Sequence, residues 1–101
     1  MVNIIRIAVI GKTQSWCVNW FENFLAKTPH DCIVSIAKSK SEPYKILLKS
    51  GIMIQFVVLN DNLIRMRFDK IYVDPTIDDL IVETVIYPMI YNPRNVIIED
   101  N

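Results

Sequence analysis

Residues 3–15 read NIIRIAVIGKTQS, and the fold turns on this stretch. Asn3–Ile10 is almost entirely apolar and β-branched, and it stops at Gly11. Apolar side chains at both odd and even positions leave no face for water. The stretch therefore predicts a strand buried on both sides, as found in parallel sheets. Gly11–Ser15 predicts a turn, with Ser15 placed to cap a helix. The helix is expected over Trp16–Lys27, where Cys17, Phe21, Phe24 and Leu25 recur at helical spacing and Asn19, Glu22 and Asn23 face away. Pro29-His30-Asp31 ends it.

The rest of the chain keeps alternating. Cys32–Ala37 predicts a second strand, and Lys38–Pro43 a polar loop. Tyr44–Lys49 and Ile52–Leu59 flank Ser50-Gly51, a hairpin signal. Leu63–Phe68 reads as a helical turn or an irregular segment, and Lys70–Val73 as a strand ending at Asp74-Pro75. Thr76 is placed to cap a second helix, with Asp79 three residues on as an imperfect capping box. Its expected core face is Ile77, Leu80, Ile81, Val85 and Pro88, widened by Val82 and Ile86. Val96–Ile98 predicts a last strand. This order is α/β. The expectation is one domain over residues 1–101, with a largely parallel sheet, an added β-hairpin and two helices.

Composition narrows the function classes. The chain has 101 residues, 51% hydrophobic and 22% charged, a size suited to one core. Seventeen isoleucines and ten valines argue against disorder. Mean hydropathy is +0.26, yet no apolar run reaches the roughly 20 residues that span a bilayer. Arg6 interrupts the first apolar stretch and Gly11-Lys12 ends it, so no signal peptide is expected and the cytoplasm is the expected compartment. Net charge is zero, but residues 1–50 carry 7 basic and 3 acidic groups and residues 51–101 carry 4 and 8. Ordinary solvated surface accounts for that split. The acidic half (Asp74, Asp78, Asp79, Glu83, Glu99, Asp100) would otherwise suit a basic partner.

Cys17 and Cys32 lack metal-ligand spacing, and His30 is the single histidine, so no metal is expected. Reduced structural thiols are the expectation. A nucleophilic pair of either cysteine with His30 would need a group to orient the imidazole, and none is nearby in sequence. His30 instead suits a helix C-terminus, where the dipole favours a cation.

The opening also resembles the approach to a phosphate-binding loop. Ile7–Ser15 looks like the start of a Walker A motif, GxxxxGK[ST], with Gly11 as its first glycine. The required Gly-Lys-Ser/Thr then falls on Trp16, Cys17 and Val18, and all three fail. Reading Gly11-Lys12-Thr13 as the closing triplet puts the first glycine at Arg6, inside the strand. Phe68-Asp69-Lys70-Ile71-Tyr72-Val73-Asp74 looks like Walker B, with Pro75 where the catalytic glutamate belongs. Together with the hairpin after Gly51 and the Leu63–Asp69 segment, the order of elements resembles the ATPase core of phage large terminases. The resemblance implies a miniature, degenerate P-loop-like domain of the sort small phage genes encode. It implies a parallel core in which Val96–Ile98 lies between Asn3–Ile10 and Lys70–Val73, with the 44–59 hairpin outside. Asp74, a magnesium holder in that family, is expected here to be structural.

The losses imply a chain that is not an enzyme, needs no cofactor, and binds another protein, as an inhibitor of a host defence or an accessory factor. The alternatives are a nucleotide- or phosphate-binding enzyme using Lys12, Thr13, Ser15 and Asp74, and a nucleic-acid binder using Arg65, Arg67, Lys70, Lys38 and Lys40. Nucleic acid is a possible partner but not the favoured one, and no membrane is expected. Two surfaces are candidates for a protein partner. One is the carboxyl edge of the sheet, Gly11–Ser15 and Asp74–Thr76 with Asp78 and Asp79. The other, preferred on sequence because arginine is enriched at interfaces, is Arg65, Met66 and Arg67.

Overall fold

The computed structural model describes residues 4–37, 44–59, 67–90 and 93–98. Six strands form one sheet: β1 (Ile5–Gly11), β2 (Ile33–Ala37), β3 (Lys45–Leu48), β4 (Ile52–Val58), β5 (Lys70–Val73) and β6 (Val96–Ile98). Their order is β2-β3-β4-β1-β5-β6. β1 pairs in parallel with β4 on one side and β5 on the other, and β5 pairs in parallel with β6. β3 alone runs against the rest, antiparallel to both β2 and β4. The chain is a single α/β domain with a mostly parallel sheet, as the alternation of elements predicted.

β1 is central because neither of its faces tolerates solvent. Ala8, Val9 and Ile10 are fully buried, with alternate side chains entering different cores. Val9 joins Ile54 and Phe56 of β4 beneath α1 (Gln14–Lys27), whose Cys17 and Phe21 close that layer. Phe21 meets Tyr44 and Phe56 edge-on, at centroid distances of 5.1 and 5.3 Å. Ala8 and Ile10 point the other way, to Ile71 and Val73 of β5 and to Ile77, Val82, Ile86 and Met89. Helical layers therefore cover opposite faces of the sheet. Such a placement follows when one crossover leaves β1 leftward and another leaves β5 rightward with the same hand.

Two topological expectations need correction. β6 is an edge strand beyond β5, and β1 and β5 are immediate neighbours with nothing between them. The 44–59 hairpin is not outside the core either, since β4 pairs with β1 along its whole length, Ile5↔Ile52 to Gly11↔Val58. The hairpin itself forms as predicted. Gly51 adopts φ 90 in its turn, a conformation open to glycine at no steric cost, and its N–H donates to the Leu48 carbonyl.

Caps and helix faces also differ from expectation. Thr13, not Ser15, caps α1: its hydroxyl accepts from the Trp16 amide at 3.3 Å. Replacing Thr13 with alanine should cost about 1 kcal/mol in chemical denaturation, while Ser15→Ala should be close to neutral. The second helical run starts at α2 (Asp79–Ile81), capped by Asp78, whose Oδ1 accepts from the Leu80 amide at 2.8 Å. It continues as a π turn over Val82–Ile86 and a 3-10 turn over Tyr87–Met89. Its buried face is Val82, Ile86 and Met89, with Ile77 and Ile90 at its ends; Leu80 is 65% exposed and Pro88 exposed. Pro88 lacks an N–H and cannot make the next helical bond, and the run changes its hydrogen bonding ahead of it. The buried stripe keeps ordinary helical spacing, Val82, Ile86 and Met89, with Ile81 and Val85 partly buried beside it as expected, while Leu80 and Pro88 fall off it. Residues 63–66 of the Leu63–Phe68 segment lie outside the described residues.

Candidate functional site at the carboxyl edge of the sheet

Only Lys12 and Thr13 separate β1 from α1. The turn is that short because Gly11 lets the helix come close. A methyl group on Gly11 would stand 2.7 Å from Cys17 Sγ, 2.8 Å from Trp16 Cε3 and 3.0 Å from the Thr13 carbonyl oxygen. Trp16 and Cys17 are thus the groups pressed on the strand end.

Asp74 follows β5 directly and is 2% exposed. Its Oδ2 accepts from the Lys12 amide at 3.0 Å, and its Oδ1 accepts from the Thr76 amide at 2.9 Å and the Thr76 hydroxyl at 2.8 Å. The Asp74 amide in turn donates to the Ile10 carbonyl. Burial pushes this carboxyl's pKa up, but the bonds from Thr76 and Lys12 and the Lys12 charge outweigh it, holding the pKa below the usual 3.8. Asp69 makes a matching bond at the other end of β5, where its Oδ2 accepts from the Arg6 amide at 2.8 Å. Two aspartates therefore fasten β5 to β1 at both ends. Thr76 belongs to the Asp74 latch and not to a helix cap.

The chain leaves β1 and β5 in opposite directions, so a crevice opens between their loops, the usual ligand position in an open α/β sheet. A cleft of about 490 Å³ lies there, lined by Trp16, Asn19, Trp20, Glu22 and Asn23 of α1 and by Asp74, Pro75 and Thr76. Trp20 is wedged in place by three aromatic rings. It stacks on Phe24 at 5.7 Å and leans on Phe56 and Tyr72 at 5.6 and 5.5 Å. A tryptophan so braced presents its free edge with little conformational freedom left to lose. From sequence, Trp16 and Trp20 stand one turn apart on a flank of the helix, where core or boundary positions are the expectation. The signal available was their spacing of one turn beside Asn19 and Asn23.

The structure brings together Gly11, Lys12, Thr13, Ser15, Asp74 and Pro75 at this edge. Lys12, Thr13 and Ser15 are exposed, and Val18 is half-buried on α1. Asp78 and Asp79 are exposed at the following helix start, with Asp78 engaged as the cap. Arg67 is exposed; Arg65 and Met66, like Lys38 and Lys40, lie outside the described residues. Cys17 is buried, its thiol 3.5 Å from the Val57 carbonyl and its pKa pushed up to about 11, first of all by burial. It sits in the first turn of α1, whereas His30 lies beyond the last, roughly 20 Å away at helical rise. These two cannot form a nucleophile–base pair. His30 sits in its own 3-10 turn, past the Thr28 cap and Pro29, and not at the end of α1.

Among the described residues no group of His, Cys, Asp or Glu side chains could hold a metal ion, and no helix is long and apolar enough to cross a membrane. No family model, curated protein or solved structure matches this chain.

Proposed function

We propose that this protein is non-catalytic and acts by binding another protein at the carboxyl edge of its sheet, in the cleft between α1 and the loop after β5. The observation that carries the reading is the state of the β1–α1 turn. A phosphate-binding loop needs several free backbone amides curled around the anion. Here the Lys12 amide is engaged by the Asp74 carboxylate and the Trp16 amide by the Thr13 hydroxyl. A fixed internal carboxylate already occupies the electropositive turn, and a triphosphate would meet its negative charge. What remains suits a protein side chain: two half-buried tryptophans forming a wall, with Asn19, Glu22, Asn23 and Thr76 as a polar rim. The cleft supports the strand-end surface; of the other candidate, Arg65 and Met66 lie outside the described residues. The terminase-like resemblance makes a component of a host defence or of a packaging apparatus the partner to look for.

The experiment has two arms. A photo-crosslinking residue at Asn19 or Asn23 is expected to trap a defined partner, while the same group at Lys27, in the last turn of α1, should trap none. Melting with millimolar magnesium-ATP or -GTP is expected to show no shift, where a ligand at 100 times its Kd would add about 2.7 kcal/mol. A reproducible magnesium-dependent shift would move the reading to a nucleotide-binding enzyme. Equal crosslinking from Lys27 would remove the cleft as the interface.

A further inference from the structure

The topology sorts charge between the two ends of the sheet. Lys49 in the hairpin turn, Arg6 near the start of β1, Arg67 just ahead of β5, Lys70 at its start and Arg94 ahead of β6 all stand at the amino edge. Lys27 joins them, because α1 leaves the carboxyl edge and the chain returns to the amino one, where the Lys49 amide donates to the Cys32 carbonyl. Lys27, Lys49, Arg67 and Arg94 are exposed. Among the described residues only Asp31 and Asp69 are acidic at this edge, and Asp69 Oδ2 already accepts from the Arg6 amide. Asp74, Asp78 and Asp79 lie at the opposite edge. One basic group shows the want of a counter-ion directly. The Arg6 guanidinium lies over the Phe68 ring, 5.2 Å from its centroid, and its Nε is buried with no hydrogen-bond partner. An unsatisfied donor on a charged group is costly, and the acceptor that suits a guanidinium is a carboxylate or phosphate oxygen. Arg6 is only half-buried, which leaves it within reach of an anion from solvent.

We infer that the amino edge of the sheet binds the phosphate backbone of duplex nucleic acid, without reading its sequence. Lys49, Arg6, Arg67 and Arg94 belong to the neighbouring strand ends β4, β1, β5 and β6, which at about 4.8 Å apiece spread them over roughly 15 Å. That is a row, not a pocket. Phosphates recur about every 3.4 Å of axis on each strand of a duplex, dense enough for every cation in such a row to meet one. Contacts of this kind give affinity and register but carry no sequence information. Single strands are held instead by stacking successive bases on aromatic rings, and Tyr87 is the one exposed aromatic side chain among the described residues. Zero net charge does not oppose the contact. The seven residues of β1 hold the two poles about 23 Å apart, more than two Debye lengths at physiological salt. The acidic edge is therefore screened from whatever the basic edge holds. The inference stands apart from the cleft, which lies at the carboxyl edge.

Fluorescence anisotropy of a short labelled DNA duplex of mixed sequence, titrated with the full chain, tests it. About four phosphate contacts predict a slope near −3.6 for log affinity against log salt, so binding should weaken roughly 150-fold between about 50 and about 200 mM salt. Lys49→Gln with Arg94→Gln should lower affinity about tenfold or more at the lower salt and reduce the slope by about 2, with circular dichroism unchanged. Gln14→Glu with Ser15→Glu makes the same change in net charge at the carboxyl edge, and that pair should bind as the parent. A parent chain that leaves the duplex free at the lower salt would overturn the inference, as would an equal loss of affinity from the two pairs. Tighter binding of the matching single strand than of the duplex would overturn it too. Displacement of the duplex by a poly-glutamate peptide at equal concentration of charge would do the same, and would assign the edge to an acidic protein segment.

Discussion

Alanine at position 74 is expected to cost the fold roughly 2–4 kcal/mol in urea or guanidinium unfolding. The carboxylate satisfies the Lys12 amide, the Thr76 amide and the Thr76 hydroxyl at once, and it does so at 2% exposure. Removing it takes the partner from all three donors at once and unfastens β5 from the β1–α1 turn. At about 4–8 °C per kcal/mol for a domain of this size, Tm should fall by at least about 8 °C. Asp74→Asn should lie between the alanine variant and the parent, since the new amide turns one donor toward another. The acid side gives an independent check. Asp74 has a lower pKa folded than unfolded, so the unfolded chain binds more protons in the window between the two values. Its contribution is fully present above the ordinary value of 3.8 and is lost as pH falls from there through the lowered one. Asp74→Asn should therefore flatten the stability profile below that pH. Loss of less than about 0.5 kcal/mol on Asp74→Ala, the size of an ordinary surface change, would show that the latch between β1 and β5 does not hold them.

Gly11→Ala is expected to destabilise by about 1–3 kcal/mol, the usual penalty of overpacking a filled core. The added methyl would stand 2.7 Å from Cys17 Sγ and 3.0 Å from backbone at Thr13, and neither can swing away like the tip of a long side chain. Cys17→Ala removes the nearest obstacle, so the cost of Gly11→Ala should shrink in that background. The double-mutant cycle reads the difference directly. If Gly11 were kept for the approach of a ligand instead, Gly11→Ala would leave unfolding free energy unchanged, and the two substitutions would be additive.

Much of the candidate site was legible in the sequence, but its roles were not. The failure of the Walker A triplet at Trp16, Cys17 and Val18 is plain from residue types, as is an aspartate at the end of an apolar strand. That Asp74 closes on the Lys12 amide depends on β5 lying beside β1, 62 residues away in the chain, which no local pattern reports. Ser15 was the cap expected from sequence, and serine outranks threonine there, yet the helix starts two residues earlier and takes Thr13. The second helical run buries Val82, Ile86 and Met89 and leaves Leu80 exposed, because which side of an apolar helix is covered depends on where β1 and β5 lie.

By itself the sequence determined the class of the fold. β-Branched runs bounded by Gly11, Gly51 and Asp74-Pro75 could only be strands, and a first strand apolar at every position but Arg6 had to be covered on both faces. Those are local and compositional facts, and they needed no knowledge of neighbours. Strand order was decided by the tertiary structure alone. Val96-Ile97-Ile98 is as apolar as a central strand, yet it sits at the edge with Ile98 51% exposed, while β4, which reads as half of a local hairpin, lies at the centre. Apolar composition says that a strand will be buried, not beside which partner. That choice is made by which arrangement fills both layers at once: Phe56 under Phe21 and Trp20 on one side, and Ile71 and Val73 against Val82, Ile86 and Met89 on the other.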